Sequence, residues 1–319
     1  MYSPAVIPAL AHFVWLGESF PWVNLLAMRS AVTRGGFERV ILHHTDRLAG
    51  SDVARECAAL PRTELRHIEP EQLLGAMGPV GIELTGLYRR VRSPVGRSNI
   101  LRIAILALEG GVYFDMDTIT VGDLTPMRRE ARCFCGDERI VLPAAVLRSR
   151  DPAVVAATGA RLAVRDLCRR LPRGHRLFRR IEHRFPRGAN FAVGGAEPRH
   201  PFLIDYLARM ARVPRRQEQV RNAIGTTMLQ DALGAWSGHG LVVYPPPVFY
   251  PVPPEISTHW FRPRRTLALE EFLRPETRVV HWYASVRTRH ILPRLDREHI
   301  VRNALREPFS ALVRPLLEC

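Results

Sequence analysis

The stretch Arg97-Ser98-Asn99-Ile100-Leu101-Arg102, continued through Glu109-Gly110-Gly111-Val112-Tyr113-Phe114 to Asp115-Met116-Asp117, decides the fold of this chain. Ile100, Ile103, Ala104, Ala107 and Leu108 recur at helical spacing on one apolar face, while Asn99 and Arg102 share another. Gly110 and Gly111 supply the left-handed stop of such a helix. Val112-Tyr113-Phe114 is a short apolar run of the kind found in a strand covered on both faces. Asp115 and Asp117 then fall at the strand's carboxyl end, where ligands collect in open α/β sheets.

Two carboxylates at that position can hold a divalent cation, and a hard cation with oxygen ligands grips the phosphates of a nucleotide. On the order of one Asp-x-Asp is expected by chance in a chain this long. The competing reading is a turn whose carboxylates bond to nearby backbone amides. The surrounding residues separate the two readings. The whole string 99–117 resembles the signature of the DXD-containing glycosyltransferases, a family that includes yeast initiation-specific mannosyltransferases, lactosylceramide α-1,4-galactosyltransferases and the glucosyltransferase domains of large clostridial toxins.

Three further segments resemble the same family. His12-Phe13-Val14-Trp15-Leu16-Gly17 is similar to its first strand, and the resemblance puts Trp15 under the donor base, a role that suits a flat ring. Val279-Val280-His281-Trp282-Tyr283-Ala284-Ser285-Val286 resembles the late His-His-aromatic-x-Gly-Ser-Trp pattern, with His281 and Ser285 retained. Ala189-Asn190-Phe191-Ala192-Val193-Gly194-Gly195-Ala196 resembles an Asn-x-x-x-Gly segment. For Trp15, His281 and Asn190 the competing reading is structural: a core residue of a first strand, a histidine ending an apolar strand, and an asparagine satisfying a turn.

The resemblance implies a metal-dependent transfer of sugar from a nucleotide-sugar donor, with Mn2+ or Mg2+ as cofactor and with retained anomeric configuration. It makes Asp115 and Asp117 the metal and ribose-phosphate residues and gives Arg102 a contact to the donor diphosphate or sugar. Together these three form the expected catalytic group. Trp15, Asn99, Tyr113, Asn190 and Ser285 complete the donor site. His281 is the candidate third metal ligand, since a neutral imidazole suits an ion already held by two carboxylates. Gly194 and Asp231 are assigned to the acceptor side. One departure matters: the family usually has an aspartate at the position of Asn99, and asparagine brings hydrogen bonds without charge. The donor could be a UDP- or GDP-sugar, and the acceptor a glycan, a lipid-linked sugar or a small molecule, with an anionic acceptor suited to the basic chain.

At 319 residues with 46% hydrophobic content, the chain can bury a large core. Short strands expected at 9–15 and 39–43 alternate with helices at 25–34 and 51–60, which argues for an α/β fold. The resemblance specifies that fold as GT-A-like and Rossmann-related: a mixed, mainly parallel sheet flanked by helices, with a helical insertion. A single catalytic domain is expected, with a donor-binding core over about 5–125, a basic helical insertion over about 150–187, and the acceptor side with the closing motif over about 188–319. The segment starting at Gly225-Thr226-Thr227 is expected to open a helix with a threonine cap.

Every one of the 46 basic residues is arginine, and the formal net charge is +15. The excess concentrates at 148–187 and recurs at 287–314. A helix expected at 154–171 carries Arg161, Arg165 and Arg169 as a stripe, read as a solvated basic face or as a surface for an anionic glycan, a lipid phosphate or an anionic membrane. Nucleic-acid or polyanion binding is the rival class. Without a zinc-finger spacing, an RRM signature or a convincing helix-turn-helix, no specific nucleic acid is expected as a partner. A catalytically weak, donor-binding relative is the third reading, motivated by Asn99. The five cysteines, Cys133 and Cys135 among them, suit reduced buried thiols rather than a zinc or redox pair. With no signal-like start and no bilayer-length apolar run, a cytoplasmic protein is expected, in peripheral contact at most with the inner membrane face.

Overall fold

Ser93 and Pro94 start the helix on which the site is built. The Ser93 side chain accepts from the Gly96 N–H at 3.4 Å, and Pro94 takes the first helical position, where its fixed φ suits the helix and its missing N–H costs nothing. In the resulting helix Pro94–Glu109, every residue of 99–107 is buried, polar Asn99 and Arg102 included. Gly110 and Gly111 then take φ of 68° and 101°, which a side chain tolerates poorly. A Cβ at Gly111 would also lie 2.7 Å from the Leu10 carbonyl oxygen. The glycine pair therefore turns the chain directly from the helix into the strand that bears the two aspartates.

In this computed structural model the described residues are 7–18, 20–48, 52–142, 146, 149–220, 223–284 and 288–318. The strands are β1 (Leu10–Trp15), β2 (Arg39–His44), β3 (Thr63–His67), β4 (Gly111–Phe114), β5 (Thr118–Thr120), β6 (Cys133–Arg139), β7 (Arg187–Ala196), β8 (Leu241–Tyr244) and β9 (Val279–His281). Seven form one sheet in the order β3-β2-β1-β4-β7-β6-β8, while β5 and β9 pair separately. Within the seven-stranded sheet the β1, β2, β3 and β4 pairings are parallel, as is β6 with β8, and β7 runs antiparallel to both its neighbours; the separate β5–β9 pair is antiparallel.

Both faces of the sheet are covered, as the apolar β4 run requires. Tyr113 packs on one side with the helices Pro94–Glu109 and Pro201–Ala211, while Val112 and Phe114 pack on the other with Trp22–Arg34. Between β1 and its neighbours, His12 Nε2 meets the Gly110 carbonyl at 2.8 Å, so Nε2 carries the proton and Nδ1 accepts from His43 Nε2 at 3.0 Å. Burial drives the His12 pKa down to about 4, so the pair stays neutral and ties β1, β2 and the glycine turn together. Cys57, Cys133, Cys135 and Cys168 are buried and unpaired.

Two local expectations are revised. The helix Thr226–Ala235 has Gly225 at its cap position with no side-chain cap, so the threonines enter the helix instead. The arginine stripe of the helix Pro152–Arg170 does not face solvent. Arg161, Arg165 and Arg169 are half-buried on its inner side, where Arg165 pairs with Glu255 at 3.3 Å and Arg169 with Asp166 at 3.2 Å. Helical spacing puts three arginines on one face, but that face turns inward toward Glu255, a partner far away in the chain.

Candidate active site

β4 and the β5–β9 pair meet around Asp115 and Asp117. The Asp115 backbone N–H donates to the Ala192 carbonyl at 2.7 Å, which carries the β4–β7 pairing past the end of β4. Its Oδ1 accepts from Arg102 Nη1 at 3.0 Å and from the Tyr113 hydroxyl at 2.8 Å. Arg102 is itself held by the Phe191 carbonyl at 3.3 Å and by Asn99 Oδ1, and its guanidinium lies 5.3 Å from the centre of the Tyr113 ring. Arg102 thus directs its hydrogen bonds at three protein oxygens, with Asp115 the charged one among them.

Asp117 is fixed from the other side. His281 stands opposite Thr118 in the β5–β9 ladder, which brings its Nε2 to 3.0 Å from Asp117 Oδ1. The Ala284 N–H donates to Asp117 Oδ2 at 2.7 Å, just after Tyr283 takes a φ of 60°. That left-handed residue bends the chain back so the amide reaches the carboxylate. One ligand atom from each of Asp115, Asp117 and His281 lies within 4.8 Å of the others.

The three groups titrate unequally. Burial and the neighbouring Asp117 push Asp115 up, with Arg102 opposing. Burial would raise Asp117 too, but the charge and hydrogen bond of His281 and the Ala284 amide outweigh it and hold its pKa low. Burial works to lower His281, yet the Asp117 carboxylate prevails and raises it. Beneath the site, buried Glu138 accepts from the Tyr283 hydroxyl at 2.7 Å, and burial pushes its pKa up to about 7.

These residues open on a cleft of about 420 Å³ whose wall includes Trp15, Asn99, Arg102, Tyr113, Asp115, Asp117 and His281. Seven residues named from sequence, drawn from three separate stretches of chain, therefore share one cavity. Trp15 stands at the end of β1 with Phe20 edge-on at 5.2 Å, and its Nε1 has no partner. Three others lie apart. Asn190 is buried, accepts from the Ala192 N–H at 2.8 Å and is not on the cleft wall. Gly194 pairs with Tyr113 inside the sheet, where a Cβ would strike the Phe191 ring. Asp231 is exposed on the helix Thr226–Ala235. Ser285 lies outside the described residues. Asn24, Ser98, Tyr283 and Arg289 also line the cleft without having been singled out as site residues. Ser98 stood in the opening stretch, whereas nothing in the sequence around Arg289 signals a site.

Residues 67–134 match the family model described as the glycosyltransferase sugar-binding region containing the DXD motif. That segment of the chain is similar to the family's sugar-binding region. The matched segment includes Asn99, Arg102, Tyr113, Asp115 and Asp117, while Trp15 and His281 lie outside it and join it through the fold. Among solved structures, the PaToxG glycosyltransferase aligns at 15% identity over 72% of this chain and 70% of its own, with a TM-score of 0.44. Mouse xyloside xylosyltransferase 1 aligns at 12% identity over 85% and 96%, with a TM-score of 0.45. The UDP-bound glycosyltransferase domain of the YGT toxin aligns at 11% identity over 65% and 62%, with a TM-score of 0.36. No curated protein matches the sequence.

Proposed function

We propose that this glycosyltransferase moves a sugar from a UDP- or GDP-sugar bound in the cleft to a hydroxyl of a glycan, lipid-linked or small-molecule acceptor. One observation carries the reading: Asp115, Asp117 and His281 converge within 4.8 Å on the wall of a cleft that also contains Trp15. Two carboxylates and an imidazole suit Mn2+ or Mg2+, which Asp115, Asp117 and His281 would hold beside the donor diphosphate. The ion, when bound, supplies charge neutralisation at the leaving diphosphate.

The chain's own residues hold that arrangement. Arg102 and Tyr113 orient Asp115, while Ala284 and His281 orient Asp117. Trp15 offers an aromatic face to the donor base. Arg289, exposed at the cleft wall, is a cation for the diphosphate that is not already engaged at Asp115 as Arg102 is. The acceptor hydroxyl attacks from the face the diphosphate leaves, and the departing phosphate takes its proton, which gives retention. An inverted product seen by NMR would defeat this step.

The test is donor hydrolysis by purified protein against a panel of UDP- and GDP-sugars with and without Mn2+. Turnover of one donor that needs the ion, and that disappears in both Asp115→Ala and Asp117→Ala, supports the reading. Absence of hydrolysis together with absence of metal-dependent donor binding refutes it. A second reading, donor binding with little turnover, is favoured by the Asn99–Arg102 hydrogen bond, which replaces the ion pair an aspartate would form there. Asn99→Asp distinguishes the two: a clear rise in turnover identifies a weakened enzyme.

A further inference from the structure

The helix Pro152–Arg170 is inverted relative to an ordinary surface helix. Its arginines Arg161, Arg165 and Arg169 face inward, and every exposed residue before Arg170 is apolar or glycine. Leu167 is 52% exposed and Val155 61%, with Val164 exposed between them and Leu171 just beyond the helix end. The inward face is packed, since Arg165 reaches Glu255 and Thr158 and Cys168 are buried, with Arg169 Nη1 buried there without a hydrogen-bond partner among the described residues. The orientation is therefore determined by packing, and the apolar side is left without a partner among the described residues.

The charge around that face identifies what fits it. Arg170, Arg173, Arg180 and Arg184 are exposed, and among the described residues none of the four forms an ion pair. An apolar strip that ends in the exposed, unpaired arginines Arg170 and Arg173 matches the interface of an anionic bilayer, where side chains such as Leu167 enter the acyl boundary and guanidinium groups meet lipid phosphates. No helix among the described residues is long and apolar enough to cross a membrane, so the contact is peripheral. We propose that the exposed apolar face of Pro152–Arg170, with the arginines at and beyond its C-terminal end, docks the protein on an anionic membrane surface. This holds whether or not the donor-site reading does, because it uses none of the cleft residues.

The experiment is co-sedimentation of the full chain with phosphatidylcholine vesicles and with vesicles that also contain phosphatidylglycerol. Binding is expected only to the anionic vesicles. Leu167→Asp combined with Val164→Asp should weaken it by roughly tenfold or more, because a leucine-sized side chain no longer enters the bilayer. Arg170→Glu with Arg173→Glu should weaken it comparably, whereas Ile82→Asp, at an exposed residue of another helix, should leave it unchanged. All altered positions are exposed, so thermal melting should stay close to that of the parent. Failure to bind anionic vesicles overturns the proposal, as does binding that survives the Leu167 and Val164 changes. A dimer that dissociates on Leu167→Asp overturns it too, by assigning the face to a second copy of the chain.

Discussion

Asp117 is bonded at both carboxylate oxygens to the closing segment, to His281 Nε2 at 3.0 Å and to the Ala284 amide at 2.7 Å, so the second aspartate of the motif also anchors the strand that completes the site. Asp117→Asn should cut metal-dependent turnover by about a hundredfold or more, as loss of a metal ligand does at minimum. It should also lower the His281 pKa, because Asp117 is the largest influence raising it. Asp115→Asn should abolish turnover with a smaller effect on His281. Titration of the imidazole by NMR in the two variants checks the difference.

Metal affinity should rise with pH. In the metal-free protein the raised His281 pKa favours the protonated ring, which must lose its proton to become a ligand. For folding the sign is the reverse. A histidine with a raised folded pKa contributes stability that is full below its unfolded value and is lost as pH rises through the folded one. Mn2+ titrations by calorimetry across the neutral range should show weaker binding at the acidic end, with a matching change in proton release.

Glu138 should make the fold less stable in base. Its folded pKa of about 7 lies above the ordinary glutamate value, so the associated stability is complete below the unfolded pKa and is lost as pH rises through about 7. Glu138→Gln keeps an oxygen for the Tyr283 hydroxyl and removes the charge. The variant should gain up to roughly 3 kcal/mol over the parent at alkaline pH and little at acidic pH, measured by urea unfolding.

Trp15→Ala should weaken donor binding more than it slows the chemical step. Loss of one base–aromatic stack is worth about 1–3 kcal/mol, or roughly tenfold to a hundredfold in KM for the donor, with kcat changed less. Trp15→Phe should retain most of the affinity. Equal losses in both variants would make Trp15 a packing residue for Phe20 instead.

Arg102→Lys should behave as a positioning change. A lysine keeps the charge but cannot reach Asp115, the Phe191 carbonyl and Asn99 together. Turnover should drop by about a hundredfold with a modest change in donor KM. A large KM effect with normal kcat would restore a direct donor contact for Arg102.

The helix, glycine stop, buried strand and paired aspartates of 97–117 could be read from the sequence because each rests on local chemistry. Gly110 and Gly111 must adopt positive φ, and Val112-Tyr113-Phe114 has no polar face to expose, whereas the helix start at Ser93 and Pro94 emerged only from the structure. The wider α/β alternation could be read for the same reason. Resemblance to a known family added Trp15 and His281, which no spacing rule connects to Asp115.

Tertiary structure alone decided how those pieces meet. His281 reaches Asp117 through the β5–β9 register, and the Ala284 amide reaches it through the left-handed Tyr283, a conformation that nothing in a tyrosine foretells. Asn190 and Gly194 ended inside the sheet because β7 lies between β4 and β6, covered on both sides. The arginine stripe turned inward because Glu255 waits there, 90 residues along the chain from Arg165. Local sequence sets backbone preference and periodicity, but burial and ion pairing depend on groups brought together over long separations, and only the folded chain determines which of them are neighbours.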